Sequence, residues 1–312
     1  MGGASVHGGD LRAIKGRMLS HAKPVPLRSI APDRLCLFRR SASHAQAATT
    51  RQFEMDVVIM TVLVQVINLD RSPERLRAIG ADLALAGLEW TRLPAIEPDK
   101  DYATTLPSYQ RARAHYLFGR DLTRGEVGCF ASHLMALRAL VNSGYETGLI
   151  LEDDAQPDQD MGQTMTDIAT ALASTSPNWA CVNLSYTTRL RRRAIASVAS
   201  NTLYRAYQFP LLTSALLWRR DHAKSFVDWC DDTGIYAPCD NQLRDWIALG
   251  NIGISCEYPP VGLRAFASTI ADRPAASSSR TGRFGGSKLS VHELRQKLPL
   301  YWRSGIAYLT RA

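Results

Sequence analysis

The chain has 312 residues and a net charge of +8, with 21% charged and 46% hydrophobic residues. This length allows one large α/β domain or two small ones, and the apolar fraction is typical of a soluble globular protein. The positive charge lies at the ends, because residues 1–60 carry +5, residues 273–312 carry +7, and residues 61–272 carry −4. A core that binds nucleic acid would itself be basic, so this distribution argues against a nucleic-acid partner.

The six cysteines form no CxxC or other zinc-ligand spacing, so we expect free thiols in a reducing compartment rather than a disulfide framework. The longest apolar run, residues 57–69, is interrupted by polar residues and is shorter than the roughly 20 residues of a spanning helix. We therefore expect no transmembrane helix and a cytoplasmic location.

Residues 1–54 show no sustained hydrophobic period and are rich in Arg, Ser, Ala and His. A transit peptide, a disordered tail and upstream sequence translated from a wrongly chosen start codon share this composition. We favour the last interpretation, because Met55 and Met60 precede the first strong structural element.

Residues 57–69 begin an alternating βα pattern, since this β-branched apolar run is typical of a buried parallel strand. A helix is predicted over 73–86, with Ser72 as its N-cap and Pro73 at its first position. The turn before a helix can hold a diphosphate at the helix N-terminus. The alternative is an ordinary capped helix start with surface arginines. The candidate diphosphate-binding residues are Asn68, Asp70, Arg71 and Arg75.

Thr123 and Glu126 have the T-x-x-E form of a capping box, and the helix that follows carries Ser132 and His133. A lone helical histidine is more often a satisfied, partly buried residue than a catalytic one. The other elements alternate between strands and helices, and the basic run 187–193 is expected to be a solvated loop that could also touch an anionic acceptor. We predict strands at 89–93, 147–151, 179–185, 211–218 and 252–257, helices at 160–174, 221–231 and 240–249, and a polar loop with a weak helix at 97–122.

Three acids, Glu152, Asp153 and Asp154, directly follow the predicted strand 147–151. Ligands bind at the carboxyl ends of strands in open α/β sheets. In an extended chain Glu152 and Asp154 point to one side and Asp153 to the other, so two carboxylates could share a hard divalent cation. The alternative is a solvated strand end that leads into a turn.

Asp240 follows a proline and a cysteine at the start of a predicted helix. It is either an N-cap residue or a carboxylate delivered to the site as a base or metal ligand. Near the C-terminus, residues 291–309 mix apolar and basic side chains. They predict either an amphipathic helix that makes peripheral contact with a membrane surface or a helix packed on the domain.

Three blocks together resemble glycosyltransferase family 25, the bacterial lipooligosaccharide glycosyltransferases that are related to collagen galactosyltransferases. They are V-I-N-L-D-R-S-P-E-R-L at 66–76, L-T-R-G-E-V-G-C-F-A-S-H-L at 122–134 and L-I-L-E-D-D-A at 149–155. The similarity spans roughly residues 64–270, and Asp240 matches a later P-x-D position. The implied domains are an N-terminal extension at 1–54, a glycosyltransferase domain at 55–272 and a basic tail at 273–312.

The resemblance implies a GT-A-like, nucleotide-sugar-binding α/β fold with a mostly parallel central sheet. It implies inverting transfer of a hexose, commonly galactose, from a UDP-sugar to a glycan or lipid-linked acceptor in lipopolysaccharide or lipooligosaccharide synthesis. A catalytically inactive carbohydrate- or nucleotide-binding protein of the same fold is the alternative. This protein would act in the cytoplasm, with the inner face of the cytoplasmic membrane as a further contact.

The resemblance also implies a role for each candidate residue. Glu152 and Asp154 would hold Mn²⁺ or Mg²⁺, and Asp240 would be the general base or a further metal ligand. Glu126 and His133 would organise the site, with direct catalysis by His133 as the alternative. The donor would contact Asn68, Asp70, Arg71, Arg75, Ser132 and Asp153.

Overall fold

The computed structural model describes residues 62–106, 108–266 and 291–310. The predicted N-terminal extension at 1–54 lies outside the described residues. The helices are α1 Pro73–Leu85, α2 Tyr102–Thr105, α3 Arg111–Phe118, α4 Arg124–Val141, α5 Met161–Thr175, α6 Arg220–Thr233, α7 Cys239–Ala248 and α8 Val291–Thr310. The strands are β1 Val62–Asn68, β2 Thr91–Pro94, β3 Thr147–Glu152, β4 Ala155–Pro157, β5 Trp179–Asn183, β6 Arg192–Val198, β7 Asn201–Ala206, β8 Ala215–Arg219, β9 Ile252–Cys256 and β10 Val261–Leu263.

In the described part of the chain, the main sheet has eight strands in the order β2-β1-β3-β8-β5-β9-β7-β6. β1 pairs in parallel with β2 and β3, and β5 pairs in parallel with β9, whereas β8 and β7 run antiparallel to their neighbours. Six of these eight strands therefore point in one direction. The predicted α/β class with a mostly parallel central sheet is confirmed.

Helices cover both faces of the sheet. In β3, Leu149 and Leu151 pack in a cluster with side chains of α1 and α5, whereas Ile150 faces the cluster that contains α4, α6 and α7. Because both faces of β3 are buried, the strand is apolar at successive positions until it reaches Glu152.

The predicted capping box at the start of α4 is confirmed. The Thr123 hydroxyl accepts a hydrogen bond from the Glu126 backbone N–H at 3.2 Å, and the Glu126 carboxylate accepts one from the Thr123 N–H at 2.8 Å. This cap fixes the first turn of the helix that carries His133, two turns further along.

The basic run after β5 is not only a solvated loop, as we expected. Its second half begins β6, which pairs with β7 as an antiparallel hairpin at the edge of the main sheet. Edge strands carry charged side chains because these oppose pairing with other chains. The predicted loop at 97–122 contains two short helices, α2 and α3, rather than one weak helix.

The predicted helix near the C-terminus is present as α8, and it packs on the domain against α3 and α7. Among the described helices, none combines the length and hydrophobicity that crossing a bilayer requires. The five cysteines within the described residues are free, as we expected.

Candidate active site

The three acids lie where β3 ends. Glu152 is the last residue of the strand, and Asp153 and Asp154 form the turn that leads to β4. One guanidinium nitrogen of Arg75, Nη2, lies 2.7 Å from Asp153 Oδ1 and 3.2 Å from Asp154 Oδ2. The prediction that Asp153 points away from the other two acids is therefore wrong. Strand alternation stops at Glu152, and the turn brings all three acids to the wall of one cavity.

The end of β1 supplies the partners of these acids. The side-chain amide of Asn68 donates to Asp153 Oδ2 at 2.7 Å and to the Ser72 carbonyl at 2.9 Å. Arg75, in the first turn of α1, is buried, and its guanidinium carbon lies 5.1 Å from the centre of the Phe266 ring. Asn68 and Arg75 thus lie at the cavity as predicted, but both already bind the acidic turn. Ser72 is the N-cap of α1, although its side chain makes no capping hydrogen bond.

Two other residues of this turn have separate partners. Asp70 is exposed and forms an ion pair with Arg92. Arg71 lines the cavity and forms an ion pair with Glu97, which lines it too. The structure therefore brings Arg71 to the cavity and leaves Asp70 outside its lining.

Glu152 has a different set of contacts. Its Oε1 accepts a hydrogen bond from the Thr213 hydroxyl at 2.6 Å and lies 3.1 Å from His133 Nε2 and 3.9 Å from Cys129 Sγ. Burial raises the pKa of Glu152, but the hydrogen bonds and charge of His133, with the Thr213 hydroxyl, outweigh it and lower the pKa overall. This carboxylate is therefore stabilised in its ionised form.

Asp154 is not stabilised in the same way. Burial, and then the charge of Glu152, raise the pKa of Asp154 to about 6 despite Arg75. Among the described residues, Oδ1 of Asp154 is buried without a hydrogen-bond partner. A cation beside Asp154 and Glu152 would satisfy this oxygen and offset the mutual repulsion of the two carboxylates, so the acidic turn fits a divalent cation.

A second set of possible ligand atoms overlaps the first. One atom each from Cys129, His133 and Glu152 lies within 4.8 Å of the other two. Sulfur and nitrogen ligands favour zinc-like metals, whereas carboxylate oxygens favour Mg²⁺ or Mn²⁺. Burial raises the pKa of the Cys129 thiol well above its usual value, so this side chain is held as a thiol rather than a thiolate.

Ser132 stabilises the wall of the cavity through two hydrogen bonds of its hydroxyl. Its hydroxyl accepts from the Ile96 N–H at 2.8 Å and donates to the Gly128 carbonyl at 2.7 Å. A Cβ on Gly128 would lie 2.5 Å from the Ile96 carbonyl oxygen, so the chain at Ile96 can lie on α4 only because residue 128 is glycine. Ser132 lines the cavity, but its hydroxyl is already bonded on both sides, contrary to a free donor-binding hydroxyl.

Glu126 has a structural role in this arrangement. Both its carboxylate oxygens accept hydrogen bonds from Arg120 at 2.8 Å, and it also closes the capping box of α4. It is buried and is not part of the cavity wall. Its contribution to the site is to position α4.

Asp240 lies near these groups without lining the cavity. It is the second residue of α7, whose N-cap is Pro238, so the N-cap interpretation of Asp240 is wrong. Its Oδ1 accepts from the Asn241 N–H at 2.7 Å, and its Oδ2 lies 3.5 Å from the Leu212 nitrogen. Burial is the main cause of the raised pKa of Cys129, and the charges of Glu152 and Asp240 add to it.

The cavity has a volume of about 290 Å³. Its wall contains eight of the residues that we predicted from the sequence, and it also contains residues that we missed. The predicted ones are Asn68, Arg71, Arg75, Ser132, His133, Glu152, Asp153 and Asp154, and the missed ones include Cys129, Arg124, Glu97 and Phe266.

The missed residues differ in how visible they are in the sequence. Cys129 lies one helical turn before His133, so its place on the same face of α4 could have been predicted. Thr213 and Phe266 are single residues of irregular segments and stand in no motif. Only the folded chain brings them to the acids.

Part of the chain is similar to known glycosyltransferases. Residues 63–203, just under half of the chain, match the family described as glycosyltransferase family 25 (LPS biosynthesis protein). The chain is 34% identical over 97 residues to a glycosyltransferase 25 family member of Drosophila melanogaster, which covers 28% of this chain and 15% of the relative. It is 33% identical over 100 residues to the counterpart in Drosophila pseudoobscura pseudoobscura, which covers 30% of this chain and 15% of the relative.

The chain thus spans only about 15% of the length of these curated relatives. Among solved structures, it aligns with a glycosyltransferase involved in the glycosylation of the major capsid of PBCV-1, at 10% identity and a TM-score of 0.33, over 62% of this chain and 81% of the other. That score is too low to support an argument. The family match includes α4 and the acidic turn, and residues 63–203 are therefore similar to glycosyltransferase family 25.

Proposed function

We propose that this protein transfers a hexose, with galactose as the first candidate, from a UDP-sugar to a hydroxyl group of a glycan acceptor, in a metal-dependent reaction that inverts the anomeric centre. The match of residues 63–203 to glycosyltransferase family 25 supports glycosyl transfer. The description of that family as LPS biosynthesis proteins supports a lipopolysaccharide or lipooligosaccharide acceptor. The free cysteines of the described residues support a cytoplasmic location.

One observation carries the proposal: Asp154 is a half-buried acid whose inner oxygen has no partner among the described residues, and it lies beside Glu152 on a cavity wall. Glu152 and Asp154 would hold Mn²⁺ or Mg²⁺, which supplies charge compensation for the departing diphosphate. Asp153 is paired with Arg75 and accepts a hydrogen bond from Asn68, although burial still raises its pKa.

The donor side of the cavity is formed by the end of β1 and the first turn of α1. Arg71 lies on the cavity wall, and the N-terminus of α1 offers backbone N–H groups to a diphosphate. Arg75 already contacts Asp153 and Asp154. Its guanidinium can therefore bind phosphate oxygens only while it also remains bound to these carboxylates. Arg75 would therefore couple donor binding to the acidic turn.

The acceptor side is formed by α4 and α7. We assign Asp240 as the general base, because its carboxylate does not cap α7 and its Oδ2 makes only a long contact of 3.5 Å, with the Leu212 nitrogen. Asp240 would take the proton of the acceptor hydroxyl while the oxygen of that hydroxyl bonds to the anomeric carbon. The bond from the anomeric carbon to UDP would break on the opposite face. His133 contacts Glu152 directly and would hold that carboxylate in place.

The proposal is tested by incubating the purified full chain with a panel of UDP-sugars, in Mn²⁺, in Mg²⁺ or with EDTA. We expect UDP release with one sugar in metal, none with EDTA, and an inverted anomeric configuration in the product. Asp158, an exposed acid just beyond the turn, offers Asp158→Asn as a matched control for Asp154→Asn. Binding of UDP-sugars without any UDP release across the panel would instead support a binding protein of this fold.

A further inference from the structure

Helix α8 has two different faces. The inner face lies on the domain, where the buried Ser304 hydroxyl accepts a hydrogen bond from Arg191 at 2.6 Å and the Tyr308 ring packs edge-on against Tyr207 at 5.4 Å. The imidazole of His292 lies 3.2 Å from the Tyr116 carbonyl oxygen. These contacts connect α8 to α3 and to the region of the β6–β7 hairpin.

The outer face of α8 exposes large apolar side chains at intervals of three and four residues, which places them in one stripe along the helix. Trp302 is 72% exposed and Leu309 is 79% exposed, although both residue types are usually buried in globular proteins. Contiguous exposed apolar surface of this kind marks an interaction site. The outer stripe consists of Val291, Leu294, Leu298, Trp302, Ile306 and Leu309.

Exposed arginines lie on α8 and on the segment that is bonded to it. Arg303 is exposed beside it on α8, and Arg189 and Arg193 are exposed in the segment that the Arg191–Ser304 hydrogen bond holds against the helix. Leu190, in the same segment, is 60% exposed and adds to the apolar surface. The partner of this surface must therefore accept apolar side chains and positive charge together.

The charge of this surface discriminates between the possible binding partners of the outer stripe. A second copy of this chain would bring the same cations against the stripe, and residues 1–60 of the same chain carry nine basic against four acidic residues. Like charges would oppose both. The interface of an anionic lipid bilayer offers apolar depth for the stripe and negative headgroups for the flanking arginines, and tryptophan is enriched at such interfaces.

We propose that the outer stripe of α8, together with Arg189, Leu190, Arg193 and Arg303, docks on an anionic membrane surface. The helix lies in the plane of the interface with its apolar side chains at the acyl boundary. This inference goes beyond the glycosyltransferase assignment and does not depend on it.

The test is co-sedimentation of the full chain with vesicles. We expect the wild-type chain to bind vesicles of phosphatidylglycerol and phosphatidylcholine, to bind pure phosphatidylcholine vesicles much more weakly, and to dissociate as salt is raised. The double variant Trp302→Gln, Leu309→Gln should lose at least about tenfold in affinity, since it removes the two most exposed side chains of the stripe.

Matched controls exist elsewhere on the surface. Leu85 is 68% exposed on α1 and Leu263 is 47% exposed on β10, so Leu85→Gln with Leu263→Gln removes apolar surface from other elements and should bind as the wild type does. Replacing Arg189 and Arg303 by Gln should weaken binding about fivefold per cation removed. Replacing Arg77, an exposed arginine of α1, should leave binding unchanged.

Two results would overturn the proposal. The first is binding to anionic vesicles that the Trp302→Gln, Leu309→Gln variant retains in full while its melting temperature is unchanged. The second is a wild-type dimer in sedimentation velocity that this variant converts to a monomer, because the stripe would then be covered by a second copy.

Discussion

Glu152 and Asp154 are two residues apart in the chain, yet their surroundings act on them in opposite directions. The Thr213 hydroxyl and His133 lower the pKa of Glu152 overall, whereas burial and the charge of Glu152 raise the pKa of Asp154 to about 6. Oε1 of Glu152 is bonded within the protein, whereas Oδ1 of Asp154 has no hydrogen-bond partner in the described part of the chain. An acidic triplet in a sequence does not reveal this difference, because the partners come from α4, α1 and the segment before β8.

The substitution Asp154→Asn is the strongest test of the difference between Asp154 and Glu152. We expect turnover of the UDP-sugar in Mn²⁺ to fall about 1,000-fold, because the metal would lose one of its two charged ligands and the leaving group its compensation. We also expect Mn²⁺ to raise the melting temperature of the wild type but not that of Asp154→Asn. Unchanged metal-dependent turnover in Asp154→Asn, with Asp158→Asn as control, would remove Asp154 from the metal site.

Asp240→Asn tests the other side of the site. We expect kcat to fall about 100-fold, with the affinities for Mn²⁺ and UDP unchanged, since a general base acts in the chemical step. The exposed Asp232 on α6 supplies the matched control, Asp232→Asn. A loss of Mn²⁺ affinity in Asp240→Asn would make Asp240 a metal ligand and leave the base to another group.

Thr213→Val sharpens the account of Glu152. Loss of the hydroxyl that donates to Oε1 at 2.6 Å should raise the pKa of Glu152 and weaken Mn²⁺ binding about 10-fold. The acidic limb of the activity profile should move to higher pH, because ionised Glu152 would then require a higher pH. Thr213→Ser keeps the hydroxyl and should behave as the wild type. If both variants shift alike, the methyl group rather than the hydrogen bond matters.

The smallest expected effect is on stability without metal. Folding raises the pKa of Asp154 from its ordinary 3.8 to about 6, so ionised Asp154 destabilises the folded chain above pH 6, and this cost disappears below the ordinary value. Asp154→Asn should therefore raise the melting temperature by about 2–4 °C at pH 7.5 in EDTA, the effect of about 1 kcal/mol in a domain of this size. At acidic pH the two melting temperatures should converge. A variant less stable than the wild type at pH 7.5 would contradict the strained state of Asp154.

The main elements of the fold were predictable where local signals agreed. The capping box at Thr123 and the apolar run before Glu152 fixed α4 and β3 nearly to the residue. β6 could not be predicted, because arginines begin it and an irregularity between Ala194 and Ala196 breaks its alternation. The edge position of β6 is a property of the whole sheet and leaves no local mark.

The site was predictable as a set of residues but not as a set of pairs. Arg75 follows the end of a strand, and its position in the sequence predicts a phosphate ligand. In the structure it binds Asp153, because the parallel pairing of β1 with β3 places the two strand ends side by side. Thr213 reaches Glu152 because β8 runs antiparallel beside β3, which brings the segment before β8 to the acidic turn. Such contacts follow from the order of the strands in the sheet, which one sequence alone does not specify.

The close approach of Ile96 to Gly128 limits how this protein can evolve. Any side chain at position 128 would push the backbone at Ile96 off α4 and break the Ser132 hydrogen bond that holds it there. In a library of random single substitutions, position 128 should therefore tolerate almost no replacement, whereas Arg138, an exposed position later on the same helix, should accept many. Variants selected for activity would then retain both Gly128 and the hydroxyl of Ser132 one turn later, although neither residue takes part in the chemistry.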